Sequence, residues 1–164
     1  MLNEVAYSKE IIKMSMLKRR VQVEIDMKAL VRNYRKIAAH VRPMKVLCVL
    51  KANAYGLGVG AYAKALASAG CTMFGVAEPF EALELIESLK SFKLQASSTK
   101  HQAPSTKYQA PSPFDIQILS SILPDEIPEM VKAGVILPII DLATAKLISA
   151  AAVKAKVVAR VHFK

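Results

Sequence analysis

Apolar and polar residues alternate over Val21-Gln22-Val23-Glu24-Ile25, the period of two expected of a half-buried strand. From Asp26 the period changes. Leu30, Tyr34, Ile37 and Val41 recur at helical spacing, Asp26 is placed to cap the first turn, and Arg42-Pro43 ends the run. A short apolar run over residues 46–50 predicts a strand that stops abruptly on Lys51. A glycine-containing turn through Gly60 leads into a helix over Tyr62, Leu66 and Ala69, with Gly70 placed to cap it. Residues 73–77 read as the next strand. Residues 80–89 read as the next helix, opened by Pro79, where a missing N–H does no harm.

The same rhythm returns later. Residues 116–119 predict a strand and residues 124–132 a helix, with Asp125 and Glu126 in its first turn and Gly134 past its end. Residues 135–140 form a buried strand, Asp141 caps a helix over residues 142–153, and residues 157–163 form a last strand. Strand and helix alternate with short connections, which predicts parallel strands joined by right-handed crossovers. Five such strands follow from Val46 onward.

One segment departs from this alternation. Gln95-Ala96-Ser97-Ser98-Thr99-Lys100-His101 is echoed by Gln102-Ala103-Pro104-Ser105-Thr106-Lys107-Tyr108, and a third copy starts at Gln109-Ala110-Pro111-Ser112. Proline and serine fill the repeat and no apolar pair recurs at coiled-coil spacing, so a coiled coil is excluded. Residues 95–112 read as a low-complexity insertion between a helix and the next strand. In a barrel such connections lie on the face opposite the chemistry. Residues 1–20 read as an N-terminal extension, with Met14 and Met16 as alternative starts, and residues 21–164 as the domain.

Composition narrows the class. Hydrophobic residues make up 53% and charged residues 22%, a globular balance rather than a disordered one. No window is long and apolar enough to cross a membrane; the strongest stops at Asp141. The first twenty residues mix acids and bases without an apolar stretch, so no secretory signal is expected. Cys48 and Cys71 read as buried free thiols, which suits a reducing, cytoplasmic compartment. The net charge of +10 invites a nucleic-acid reading, but the lysines are scattered, tryptophan is absent and no basic stripe alternates with aromatics. The charge reads as solvated surface, with no nucleic acid and no membrane as partner.

Candidate chemistry gathers at Lys51-Ala52-Asn53-Ala54-Tyr55-Gly56. By alternation Leu47, Val49 and Lys51 share one face of the strand. An amine at the carboxyl end of a buried strand sits where α/β barrels place their chemistry. Desolvation makes such an amine a usable nucleophile and base. His162 shares a strand face with Arg160 and Lys164 and reads as a packed residue, while His40 and His101 read as solvated side chains.

The string KANAYG resembles the cofactor-lysine signature of bacterial alanine racemases. VEID, FGVAEPFEALEL, LPDEIPEMVKAG and the closing VHFK recur in the family's order, so the resemblance runs from about Val21 to Lys164 apart from the insertion. It implies an α/β fold of the (β/α)8 TIM-barrel type, truncated to about five β/α units and without the family's C-terminal β-domain. It also implies a racemase, an isomerase dependent on pyridoxal 5'-phosphate (PLP), which interconverts L-alanine and D-alanine and supplies D-alanine for peptidoglycan. The family is homodimeric. In it the lysine matching Lys51 carries PLP covalently and serves as base toward the Cα proton of D-alanine. The tyrosine matching Tyr55 hydrogen-bonds the PLP phosphate. The lysine matching Lys164 is often carbamylated and orients an arginine on the substrate side; as the last residue here it is expected to fray. Leu57 stands where the family usually has histidine. The family's opposing tyrosine, the arginine facing the pyridine nitrogen and most of its phosphate loop lie beyond the matched portion. The second reading is therefore a non-catalytic remnant, or a PLP-binding module that associates with an intact homologue.

Overall fold

A computed structural model describes residues 23–90, 92 and 113–164. Its centre is one five-stranded sheet in the order β1-β2-β3-β4-β5, every neighbouring pair parallel. The strands are β1 Leu47–Val49, β2 Met73–Val76, β3 Asp115–Ile118, β4 Ile136–Ile139 and β5 Arg160–Phe163. The right-handed helices are α1 Met27–His40, α2 Val59–Ser68, α3 Pro79–Leu89, α4 Ile127–Ala133 and α5 Leu142–Ala155. Sequential parallel strands with right-handed crossovers place the connecting helices on one face of the sheet. The sheet is open, with β1 and β5 at its edges.

Strand alternation sorts the side chains between the two faces. Phe74, Val76, Ile116, Ile118 and Leu137 lie under the helices, packed with Leu66, Leu85, Met130 and Ile148 in one buried cluster. Phe114 joins this layer with ring centroids 5.8 Å from Phe74 and 6.1 Å from Phe92. The opposite face carries Leu47, Val49, Gly75, Asp115, Gln117, Arg160 and His162. Gly75 leaves room there for two leucines, since a Cβ would stand 3.0 Å from Leu119 Cδ1 and 3.4 Å from Leu47 Cδ2. Three side chains of β5 and its end reach across β4 on that face. Arg160 pairs with Asp115 at 2.6 Å, His162 Nε2–H donates to the Ile118 carbonyl at 2.9 Å, and Lys164 Nζ donates to the Leu119 carbonyl at 2.9 Å.

The helix starts follow their caps. Asp26 Oδ1 accepts from the amides of Lys28 and Ala29 at 2.9 and 3.0 Å, and Asp141 Oδ1 from that of Thr144 at 2.7 Å. These hydrogen bonds hold the Asp141 carboxyl below its ordinary pKa. Where α1 meets β1, Tyr34 lies beside Cys48 and Cys71. Burial, then the two thiols, push its phenol up to about 12. The hydrogen bond with Cys71 and burial also raise the Cys48 thiol. Both cysteines are free.

Several expectations change. Of the strand foreseen over residues 21–25, only Val23, Glu24 and Ile25 are described, and they form no ladder; Val23 is 75% exposed. Alternation supplies a face, but a strand also needs a neighbour to pair with. Helix α4 begins at Ile127, because residues 124–126 form a separate turn in which Glu126 Oε2 accepts from the Leu123 amide at 2.8 Å. Helix α5 continues to Ala155, past the foreseen end, and Lys156 closes it with φ 56°. The extension 1–20 and the insertion 95–112 lie outside the described residues.

Candidate functional site

Lys51 lies two residues past the end of β1, after Leu50, at the carboxyl end of the parallel sheet. The backbone that leaves it is unusual. Residues Lys51–Tyr55 make one helical turn, but Ala52, Asn53 and Ala54 have φ 51°, 52° and 54° with ψ 50°, 48° and 48°. Tyr55 at φ 57° and Gly56 at φ 81° continue the run. The turn is left-handed, a conformation that crowds Cβ against the carbonyl in every residue except glycine. Its internal bonds run from the Ala54 amide to the Leu50 carbonyl at 2.9 Å and from the Gly56 amide to the Ala52 carbonyl at 2.8 Å.

Three outside contacts hold it. The Leu50 amide bonds the Gly75 carbonyl at 2.7 Å, which seats the entry on β2. Asn53 Oδ1 accepts from the Val59 amide at 2.8 Å, which ties the turn to the first residue of α2. The third contact is Glu81, in the first turn of α3 and 8% exposed. Its Oε1 accepts from the Ala52 amide at 2.5 Å, while Oε2 accepts from the amides of Ala77 and Glu78 at 2.7 and 3.1 Å. Sequence reasoning missed Glu81 as a site residue. An acid at the third position of a helix that begins with proline signals a cap, and two of its three bonds, to the Ala77 and Glu78 amides, are local to that helix start.

Lys51 is exposed and Tyr55 is 61% exposed. The desolvation foreseen for Lys51 is thus not found in the chain as it stands, because an open sheet does not enclose the amine. Lys164 is at the same end of the sheet but on the other edge strand. It does not fray, since its amide bonds the Ile139 carbonyl at 3.1 Å while Nζ holds the Leu119 carbonyl. The structure therefore brings Lys51 and Tyr55 together on one turn and sets Lys164 apart from them. His162 is packed as foreseen, engaged with Ile118. Between the edges, Ser120 Oγ donates to the Ala77 carbonyl and so links the ends of β3 and β2. Among the described residues no group of three or more His, Cys, Asp or Glu could hold a metal, and no helix is long and apolar enough to cross a membrane.

The arrangement offers an exposed primary amine and a phenol at the carboxyl ends of parallel strands. Residues 25–164 match the family model described as the alanine racemase N-terminal domain. The chain belongs to the alanine racemase family. That family is one of PLP-dependent racemases. "Alanine racemase 3" of Salmonella typhi is 48% identical over 61 residues, covering 37% of this chain and 17% of its own length. Among solved structures, the alanine racemase of Bartonella henselae, with covalently bound pyridoxal phosphate, superposes with TM-score 0.62 and 31% identity. The match covers 81% of this chain and 31% of that one. Alanine racemase from Streptomyces coelicolor A3(2) gives TM-score 0.66 at 27% identity, over 85% of this chain and 32% of its own. The chain thus spans about a third of these solved racemases, and its alignment with the Salmonella relative spans only 17% of that protein.

Proposed function

We propose that this chain is the cofactor-lysine portion of a PLP-dependent alanine racemase. Lys51 is the covalent anchor of PLP and one of the two acid–base groups of the reaction. The observation that carries this reading is the position of Lys51. Its exposed amine stands at the carboxyl end of β1 and opens the left-handed turn that presents Tyr55 four residues later. These donors fit the cofactor's chemistry, with a primary amine for an aldehyde and a phenolic O–H, 61% exposed, to donate to a phosphate oxygen.

When bound, PLP supplies an electron sink that makes the Cα proton of an amino acid acidic enough to remove. Released from the cofactor when the substrate's own amine takes its place, Lys51 Nζ would take that proton from one face of D-alanine and return one to the same face. Tyr55 would hold the phosphate end through its phenolic O–H. By the family's pattern a carbamylated Lys164 would orient a substrate-side arginine; its amine here holds the Leu119 carbonyl at the far edge of the sheet. Racemisation needs a second acid–base group on the opposite face of Cα. By the family's pattern that group is a tyrosine outside the matched segment, so full turnover belongs to an assembly larger than these five β/α units, homodimeric as in the family. The physiological product is D-alanine for peptidoglycan, made in the cytoplasm.

The test is to add PLP to the 164-residue chain, reduce with borohydride and map the labelled peptide. Label on Lys51, absent in Lys51→Ala, is the expected result. Label on another lysine of the wild-type chain, or none, would sink the assignment.

A further inference from the structure

The turn that carries Lys51 is strained, and the question is what keeps it in place. Four consecutive non-glycine residues, Ala52 to Tyr55, hold positive φ. A backbone of this kind persists only where its surroundings over-determine it. Neither alanine can bond its own backbone, and Tyr55 points 61% of its surface to solvent. The first amide of the positive-φ run, that of Ala52, is held instead by a buried carboxylate 29 residues away.

We infer that Glu81 is the positioning residue for Lys51. Its carboxylate takes the Ala52 amide, holds the turn left-handed and thereby sets the direction in which the Lys51 side chain leaves β1. Two features of the contact favour this over simple capping of α3. First, a cap needs only one of the carboxylate oxygens, and Oε2 already satisfies Ala77 and Glu78. Oε1 is given entirely to Ala52, at the shortest of the three distances. Second, all three partners are N–H donors, so both tips of the side chain must accept. Only an ionised carboxylate does that; a glutamine would turn its NH2 group toward an amide on one side or the other. Glu81 also joins the end of β1 to the end of β2, so the lysine's position is referred to the sheet rather than to a free loop.

The inference rests on the reading of Lys51 as the PLP lysine, and the experiment separates the two. In Glu81→Gln the one remaining side-chain oxygen satisfies more donors by facing Ala77 and Glu78, which turns the NH2 group onto the Ala52 amide and leaves that amide without its acceptor. Loss of a charged hydrogen bond predicts roughly a tenfold or greater rise in hydrogen exchange at Ala52 and a comparable fall in borohydride-trapped PLP on Lys51. Adding Ala52→Gly to Glu81→Gln supplies a residue that adopts the left-handed conformation without a clamp, and trapping at Lys51 should recover at least in part. A purely structural role for Glu81 as the cap of α3 would not respond to glycine at position 52. Equal exchange and equal trapping in wild type and Glu81→Gln would overturn the inference, as would a folded double variant without recovery. If Glu81→Gln does not fold, the wild-type chain decides by itself, because an Ala52 amide that exchanges at the rate of an unstructured peptide excludes the clamp. Should wild type take no PLP at Lys51, the functional reading falls while the exchange measurement still judges Glu81.

Discussion

Glycine normally weakens a helical turn, but at Ala52 it should strengthen the protein. Ala52 has φ 51° and ψ 50° and an exposed side chain. A left-handed conformation costs a non-glycine residue about 1–2 kcal/mol. Ala52→Gly removes that cost but enlarges the freedom of the unfolded chain, which takes back about 0.5–1 kcal/mol. The net expectation is a gain of about 0.5–1 kcal/mol. Ala54 has nearly the same dihedral angles but is 1% exposed. Deleting its methyl also forfeits about 0.8 kcal/mol of burial, so Ala54→Gly should come out near zero. Asn53→Gly should destabilise by about 1 kcal/mol, because the bond from the Val59 amide to Oδ1 is lost and asparagine already tolerates this region. Urea unfolding at equal m-values gives the order through the midpoints. An Ala52→Gly midpoint below wild type, or Ala54→Gly above Ala52→Gly, would refute the reasoning.

Further outcomes follow from the packing and the titrating groups. Gly75→Ala forces a Cβ to within 3.0 Å of Leu119 Cδ1 and should cost about 1–3 kcal/mol in urea unfolding. Leu85→Ala empties a fully buried position of the helix-side core and should cost about 2–5 kcal/mol, read as a lowered melting temperature. Tyr34 has its phenol raised from 10 to about 12 in the folded chain. Its contribution is therefore complete below pH 10 and lost as pH rises from 10 to 12. A stability–pH curve for Tyr34→Phe should lie flatter than wild type across that window, and an identical slope would contradict the assignment. Asp141 has its carboxyl lowered, so its share of the α5 cap is present above the unfolded-state pKa and disappears on acidification. Asp141→Asn should flatten the acid limb of the same curve.

Much of the fold could be read before any coordinates, for a physical reason. The β/α alternation is written in local periods, and caps such as Asp26 and Asp141 act within three residues of themselves. Lys51 and Tyr55 were legible because they share one short segment. The hand of that segment was not. Alanine and tyrosine have no preference for positive φ, and only Gly56, with Asn53, hints at it. The strain is imposed from elsewhere, by Glu81 across 29 residues, and a carboxylate in a first helical turn already has a sufficient local explanation. The strand expected around Val23 failed for the converse reason: its pattern was local, but the pairing that makes a strand is not.

The side chains that cross β4 have a mechanical consequence. The β3–β4 register shows a single residue pair, Gln117 with Ile136, whereas β4 and β5 share four. Strands two apart in a flat sheet lie roughly 9–10 Å from each other. Bonds from Arg160, His162 and Lys164 to β3 and its end are chords drawn across one face of the sheet, and swinging β5 away from β3 would stretch them. A closed barrel keeps its curvature because its ends meet. Here polar chords resist flattening, and they are anchored on the very strand whose ladder is thinnest. Bending stiffness in this sheet is therefore electrostatic in part, and should soften with ionic strength at Arg160–Asp115 before it does at the two carbonyl contacts.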